Sequence, residues 1–140
     1  MNSLNIIKFI TFLMILLQAS KLEGTILEGA ISVEIKEIIN FDSSQYLIIT
    51  KDKENKTIKF LSDKNQCHCS SKSKLQIGKT YILQREKLST YTHNGFLVNH
   101  IVFIDGRKIL EKDEDVYRAK NLLGLCFRKP HWRERLARAK

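Results

Sequence analysis

Cys67, His68 and Cys69 form the most reactive cluster in the sequence. Thiolates and imidazoles are zinc ligands, so these three side chains together suggest a metal site. Zinc sites, however, more often space their cysteines two to four residues apart and need a fourth ligand, and none of the other three histidines stands at a favourable spacing. The pattern therefore favours a disulfide over a metal, and we predict no metal site.

The sequence carries no familiar catalytic signature. It contains no Gly-x-Ser-x-Gly, no His-Glu-x-x-His and no phosphate-binding glycine loop. Asp113, Glu114 and Asp115 are better interpreted as the start of a helix than as an acid/base pair. A Cys–His nucleophile is a weaker alternative, because disulfide formation competes for the thiols. We therefore predict a protein that is not an enzyme and uses no cofactor.

The C-terminal segment 128–140 concentrates positive charge. It has one acid, Glu134, and a net charge of +5, against +3 for the rest of the predicted mature chain. The predicted glycan-binding residues are its six cations: Arg128, Lys129, Arg133, Arg135, Arg138 and Lys140. Guanidinium groups bind sulfates bidentately, so heparan-type glycans are the predicted partner. Lys72, Lys74 and Lys79 would extend this patch, and a solvated, frayed terminus is the alternative interpretation.

Asn55-Lys56-Thr57 matches the acceptor pattern for N-glycosylation. The triplet lies in the polar stretch 51–56, which we interpret as an exposed hairpin loop. Such triplets also occur by chance, but an exported chain and a loop setting favour use of Asn55.

Residues 1–20 have the pattern of a secretory signal peptide. Lys8 precedes the largely apolar run 9–17, and Gln18-Ala19-Ser20 supplies small residues suited to cleavage. The run is about half of what a ~30 Å hydrocarbon core requires, so we predict no stable membrane insertion. A buried N-terminal helix or an uncleaved anchor is the alternative. We predict a secreted, extracellular protein whose cysteines meet an oxidising compartment and whose natural partner is not a nucleic acid.

Length and composition predict one ordinary globular domain. The chain has 140 residues, of which 43% are hydrophobic and 28% charged, which excludes wholesale disorder. Its net charge of +9 points to an anionic partner. We divide the chain into a signal peptide (1–20), a β-barrel domain with a helix (21–127) and a basic tail (128–140).

Period-two alternation over 31–36, extended to 25–39, predicts a first strand, and apolar segments predict four more at 45–50, 57–61, 80–83 and 96–104, the last interrupted by Asn99-His100. The second and third should form a hairpin, and Asp105-Gly106 predicts a tight turn into a short return strand at 108–110. Asp113 as N-cap, the apolar face from Val116 to Leu123 and Gly124 predict a helix. A last helix is predicted from Pro130. These elements favour a mainly β fold, a small antiparallel barrel capped by a helix, over an open α+β sandwich.

The segment from Cys67 to Leu83 resembles the netrin-like module. That module has a Cys-x-Cys pair, a short basic spacer, and then a glycine, a tyrosine and an apolar strand, matched here by Gly78, Tyr81 and the strand that follows. The apolar strand 95–98 and the Trp132-to-Arg138 end are similar to the family's, and strand 30–33 fits loosely. The resemblance implies a five-stranded oligonucleotide/oligosaccharide-binding (OB) type barrel with C-terminal helices, as in netrins and tissue inhibitors of metalloproteinases.

The sequence departs from this family in its cysteines. The family usually has about three disulfides, whereas three cysteines form one bridge and leave one thiol. Cys126 is the only distant partner, so a 67–126 or a 69–126 disulfide is expected, and the remaining thiol could link two chains. Because the Cys-x-Cys pair is internal, the inhibitors' zinc-binding N-terminus has no counterpart here.

The sequence therefore predicts a secreted, non-enzymatic netrin-like module that binds matrix or cell-surface sulfated glycans through its basic end, and a signalling protein as a further candidate partner. A secreted ligand whose barrel loops contact a receptor is the main alternative. A protease inhibitor and a membrane-active peptide around Trp132 are weaker ones.

Overall fold

The computed structural model describes residues 6–8, 10–11, 29–64 and 68–129. Residues 6–8 and 10–11 are helical, and Thr11 Oγ1 donates a hydrogen bond to Ile7 O at 2.8 Å. Most of the predicted signal peptide, Cys67 and the tail from Pro130 onward, including its predicted helix, lie outside the described residues.

The described chain is mainly β and is built around a closed barrel of five strands. In spatial order these strands are β1 (Ala30–Asn40), β2 (Gln45–Asp52), β3 (Thr57–Asp63), β9 (Val116–Ala119) and β4 (Thr80–Lys87). β1 pairs with both β2 and β4, which closes the barrel. A mainly β fold with a closed five-stranded barrel is therefore confirmed, although β3 and β9 pair in parallel rather than antiparallel, and the alternative of an open sandwich is wrong.

Six shorter strands form three two-stranded hairpins outside the barrel. Their bounds are β5 (Thr92–His93) with β6 (Phe96–Leu97), β7 (Val102–Ile104) with β8 (Arg107–Leu110), and β10 (Leu122–Leu123) with β11 (Cys126–Phe127). The predicted fifth strand, 96–104, is wrong as a single element because its two halves belong to separate hairpins. The predicted turn is confirmed, since Asp105 and Gly106 both have positive φ, as a tight hairpin turn requires.

The β2–β3 hairpin forms as predicted, in a register that runs from Gln45 opposite Asp63 to Lys51 opposite Thr57. Its loop is organised by Asp52, whose Oδ1 accepts hydrogen bonds from Glu54 N and Lys56 N, both at 2.9 Å. A carboxylate that binds backbone amides within its own loop stabilises the turn without distant partners.

The predicted helix over 113–124 is wrong, because this stretch supplies the strand that completes the barrel. Val116 pairs in parallel with Lys59 of β3, and Ala119 pairs antiparallel with Arg85 of β4. A strand here hydrogen-bonds two neighbours that would otherwise expose unpaired edges, and this gain outweighs the local helix signals. Asp113, the expected N-cap, has a φ of 59° and lies in a turn instead.

The core consists of two clusters. The first fills the barrel beneath the β10–β11 hairpin and contains Val33, Ile35, Ile48, Ile58, Phe60, Leu75, Leu83, Ala119 and Leu122. The second lies beneath the β7–β8 hairpin and contains Phe41, Leu47, Leu61, Val102, Ile109, Leu110 and Val116. The hairpins thus cover apolar barrel surface, the role that the sequence had assigned to a helix.

Candidate anion-binding site

One disulfide joins Cys69 to Cys126, with their Cα atoms 5.8 Å apart. It fastens the loop after β3 to β11, and it confirms the expected bridge in its 69–126 form. Cys67, the third candidate, lies outside the described residues.

Backbone hydrogen bonds extend this connection on both sides of the disulfide. Leu75 N donates to Leu125 O at 2.8 Å, and Phe127 N donates to Ser73 O at 2.7 Å. Lys74 forms an antiparallel bridge with Cys126 between them. Loop and hairpin are therefore joined into one unit, here called the disulfide region and defined as residues 64–79 and 120–129 without the undescribed 65–67.

Charge in the disulfide region is of one sign. Neither 64–79 nor 120–129 contains an aspartate or glutamate. Its described cations are Lys64, Lys72, Lys74, Lys79, Lys120, Arg128 and Lys129. Among the described residues, all five ion pairs lie elsewhere and involve none of these seven. The positive charge of this region is consequently not neutralised by neighbouring carboxylates.

The structure brings part of the predicted glycan-binding set together. Arg128 and Lys129 are exposed and follow β11 directly, beside the loop that carries the exposed Lys72 and Lys74. Lys79 lies farther along the loop, where its carbonyl accepts a hydrogen bond from Ile35 N of β1 at 3.0 Å. The other four, Arg133, Arg135, Arg138 and Lys140, lie outside the described residues.

Asn121 fixes the backbone from which the tail departs. This side chain is only 6% exposed. Its Oδ1 accepts a hydrogen bond from Gln84 N at 2.8 Å, and its Nδ2 donates to Ile82 O and to Arg128 O, both at 2.9 Å. Sequence reasoning missed this residue, although a lone amide between Ala119 and Leu122 is the kind of polar group that must find buried partners.

A cavity of about 200 Å³ opens beside the disulfide. The polar residues that line it are Tyr46, Lys64, His68 and Lys74, and none of its described lining residues is an acid. Two larger grooves are different. One, of about 360 Å³, includes Asp63, and the other, of about 390 Å³, includes Asp52 and Glu54. Sequence reasoning missed Tyr46 and Lys64, because they come from β2 and the end of β3.

Lys64 is held in place at this cavity by two contacts. Its Nζ donates a hydrogen bond to Asp42 O at 2.6 Å and lies 5.2 Å from the centroid of the Tyr46 ring. A cation over an aromatic face is electrostatically favourable, so the ammonium is oriented before any ligand arrives.

Asn55 lies exposed at the tip of the β2–β3 hairpin with a φ of 63°. Its backbone makes the contacts there: N donates to Asp52 O at 3.0 Å, and O accepts from Lys51 Nζ at 3.3 Å. The position matches the exposed loop that the sequence predicted, and glycosylation itself remains a prediction.

Residues 88–115, here called the hairpin region, present a different surface. Phe96 is 76% exposed and Phe103 59%, and Leu97 and Ile101 are also exposed. The region has five acids and three cations. Five of these eight side chains are in ion pairs: Arg107, Lys108, Glu111, Glu114 and Asp115. Its apolar side chains therefore stand in a surface with little unbalanced charge.

Two carboxylates attach the hairpin region to the barrel. Burial tends to raise the pKa of Asp42, but hydrogen bonds from Ser44, Asn94 and Gln45 outweigh it and leave this pKa below its ordinary value. Hydrogen bonds from Arg107, at 2.7 and 2.8 Å, lower the pKa of Glu37. Both carboxylates therefore stay ionised, and keep these hydrogen bonds, at a lower pH than they would with an ordinary pKa.

Metal-binding clusters and membrane-spanning helices are both absent from the described residues. Among the described residues, no three His, Cys, Asp or Glu side chains are grouped so as to hold a metal ion, and no helix there has both the length and the apolar character to span a membrane. Comparison of the chain with protein-family models, with curated proteins and with solved structures finds no match in any of the three.

Proposed function

We propose that this protein is a secreted, non-enzymatic binding module of the netrin-like type, and that the disulfide region and the basic tail together bind sulfated glycans of the matrix or cell surface. The proposal of secretion rests on the signal-like N-terminus, and that of glycan binding on the distribution of charge. A signalling protein is a further candidate partner.

Strand order supports the netrin-like part of the proposal. An OB-type barrel has the order 1-2-3-5-4 and closes through its first and fourth strands. The barrel described above has this order when β9 is counted as the fifth strand, with β3 and β9 parallel. The Cys-x-Cys loop, with Cys69 bonded to Cys126, precedes β4 as the resemblance implies.

The observation that carries the glycan proposal is the joining of two acid-free stretches by the disulfide. Residues 64–85 and 116–133 contain no acid. The disulfide and its flanking hydrogen bonds place Lys72 and Lys74 next to Arg128 and Lys129, where the tail begins. A polyanion that contacts these cations releases condensed counterions, so its affinity should fall steeply as the salt concentration rises.

Heparin chromatography of a charge-reversal variant tests the proposal. Arg133, Arg135 and Arg138 are changed to Glu, which spares Trp132 and the cysteines. The matched control reverses three exposed lysines outside the acid-free stretches: Lys53, Lys56 and Lys112. We expect the tail variant to elute at clearly lower salt than the control, with circular dichroism and melting temperature close to wild type. Equal elution of the two variants would mean that the tail is merely solvated.

The exposed apolar side chains of the hairpin region favour a second candidate, a secreted ligand that contacts a receptor through these loops. Contiguous exposed apolar surface on a soluble protein often marks a protein contact. The two candidates differ in their response to salt, because burial of Phe96 and Phe103 does not release counterions. A receptor complex retained at high salt by the tail variant would favour the second candidate.

A further inference from the structure

The cavity beside the Cys69–Cys126 disulfide has the lining of an oxyanion site. Lys64 and Lys74 supply two ammonium groups, and Tyr46 and His68 add polar groups. Its volume of about 200 Å³ corresponds to roughly six or seven waters at ~30 Å³ each, enough for one tetrahedral oxyanion with bridging water. The cavity therefore has room for a single charged group together with its water of hydration.

Lys64 and Lys74 approach this cavity from two different elements. Lys64 follows β3, and its ammonium is already bonded to Asp42 O and placed over Tyr46. An ammonium has three donors, so one bond to Asp42 leaves donors for a ligand. Lys74 belongs to the loop, where the bridge to Cys126 fixes its backbone while its side chain stays exposed. The Lys64 ammonium and the Lys74 backbone are thus positioned by contacts that do not need a ligand.

The neighbouring charges select for an anion. The two larger grooves include carboxylates that would repel one, namely Asp63 in the first and Asp52 and Glu54 in the second. The described residues that line the disulfide cavity include no carboxylate, and the disulfide region contains no acid. It is therefore a place on the described surface where concave shape and unneutralised positive charge coincide.

We propose that this cavity binds one sulfate group of a sulfated glycan, between Lys64 and Lys74, as a defined subsite within the basic face. The identity of the ligand rests on the proposed function. The subsite goes beyond it, because it distinguishes cations that bind one group from cations that only attract a polyanion. Lys74 belongs to the first kind, and Lys72, exposed two residues away but not part of the lining, belongs to the second.

Comparison of K74Q with K72Q tests this distinction, because both variants remove one positive charge from the same loop. The probe is a sulfated heparin disaccharide, too short to cover both the cavity and the tail, and binding to the full mature chain is measured by calorimetry. We expect K74Q to weaken binding about tenfold and K72Q less than twofold. K74R, which retains the charge, should bind within about twofold of wild type and with an unchanged melting temperature.

Each other result contradicts the subsite. Equal losses in K74Q and K72Q mean that the face acts as a diffuse charge, and equal losses in K74R and K74Q mean that the substitutions disturb the loop. If wild type retains long heparin but does not bind the disaccharide, the subsite is wrong and the proposed function stands. If wild type fails to retain long heparin, the proposed function falls as well. Stronger binding of inorganic phosphate than of inorganic sulfate would overturn the assignment to sulfate.

Discussion

The disulfide region and the hairpin region both cover the barrel core, but they differ in the sign of their charged side chains and in whether these form ion pairs. The disulfide region has seven described cations and no acid, and none of these cations is in an ion pair among the described residues. The hairpin region has five acids and three cations, and Lys108, Arg107, Glu114 and Asp115 are all in ion pairs. Repulsion between like charges lowers the stability of the first region, and the disulfide offsets this cost. The second region is attached to the barrel by hydrogen bonds and ion pairs.

The largest effect should come from removing that covalent bond. Cys69 and Cys126 lie 57 positions apart, and loop-closure entropy predicts that Cys69→Ser lowers the free energy of unfolding by as much as about 4 kcal/mol. Thermal denaturation with and without reductant measures this. We also expect the variant to elute from heparin at lower salt, because the two cationic stretches are no longer joined.

Cys67→Ser is the control for this experiment, since it leaves the 69–126 bridge intact. It should melt within a few degrees of wild type. If Cys67→Ser were as damaging as Cys69→Ser, the functional disulfide would involve Cys67, and the pairing described here would be wrong. Loss of a disulfide-linked dimer in Cys67→Ser alone would identify Cys67 as the thiol that joins two chains.

Asn121→Ala should have the next largest effect, because it removes three hydrogen bonds between a buried amide and part-buried backbone groups of Gln84, Ile82 and Arg128. We expect a loss of roughly 2–3 kcal/mol in the free energy of unfolding, measured by urea denaturation. Asn99→Ala, at an exposed position of the hairpin region, is the control and should cost less than about 0.5 kcal/mol. A similar cost for both would mean that Asn121 does not organise the disulfide region.

The attachment through Asp42 should make the hairpin region sensitive to acid. Its pKa is lowered in the folded state, so its contribution to stability is present above the unfolded value, about 3.9, and is lost as the pH falls through the lower folded value. We expect Asp42→Asn to reduce stability by about 1 kcal/mol at neutral pH and by progressively less below pH 4. Denaturation at a series of pH values tests this, and a constant difference between the two proteins at all pH values would contradict it.

The smallest effect should come from the exposed aromatic residues. Phe96→Ser and Phe103→Ser each remove a side chain that is mostly in solvent, so we expect changes within about 0.5 kcal/mol of stability and no change in heparin elution. This result would confine glycan binding to the disulfide region and the tail. Lower elution of either variant would show that the hairpin region takes part in glycan binding.

Sequence reasoning succeeded where the signal is local. The apolar segments on either side of the polar stretch 51–56 identify the β2–β3 hairpin, and Asp105-Gly106 identifies the turn of the β7–β8 hairpin from two residues. It failed at 113–124, where Asp113, the apolar spacing and Gly124 all agree with a helix. The four residues of β9 are too few to show a period of two, and their partners in β3 and β4 lie far away in the sequence.

The candidate site shows the same division. The concentration of cations in the tail and around Lys72 and Lys74 can be counted along the chain. The cavity includes Tyr46 and Lys64, which come from β2 and the end of β3 and meet Lys74 only through the barrel. Asn121 and Asp42 are likewise defined by partners on other elements, so no local pattern identifies them.

The amino-acid sequence by itself determined where most of the longer strands lie, how charge divides between acid-free and acidic stretches, and that a disulfide was to be expected between Cys126 and Cys67 or Cys69. Only the tertiary structure decided that Cys69 is its partner, that residues 116–119 complete the barrel, and that two distant basic stretches form one face. The physical reason is that periodicity and charge are properties of neighbours along the chain. Strand closure and disulfide pairing instead depend on which distant groups can satisfy each other's hydrogen bonds and geometry in three dimensions.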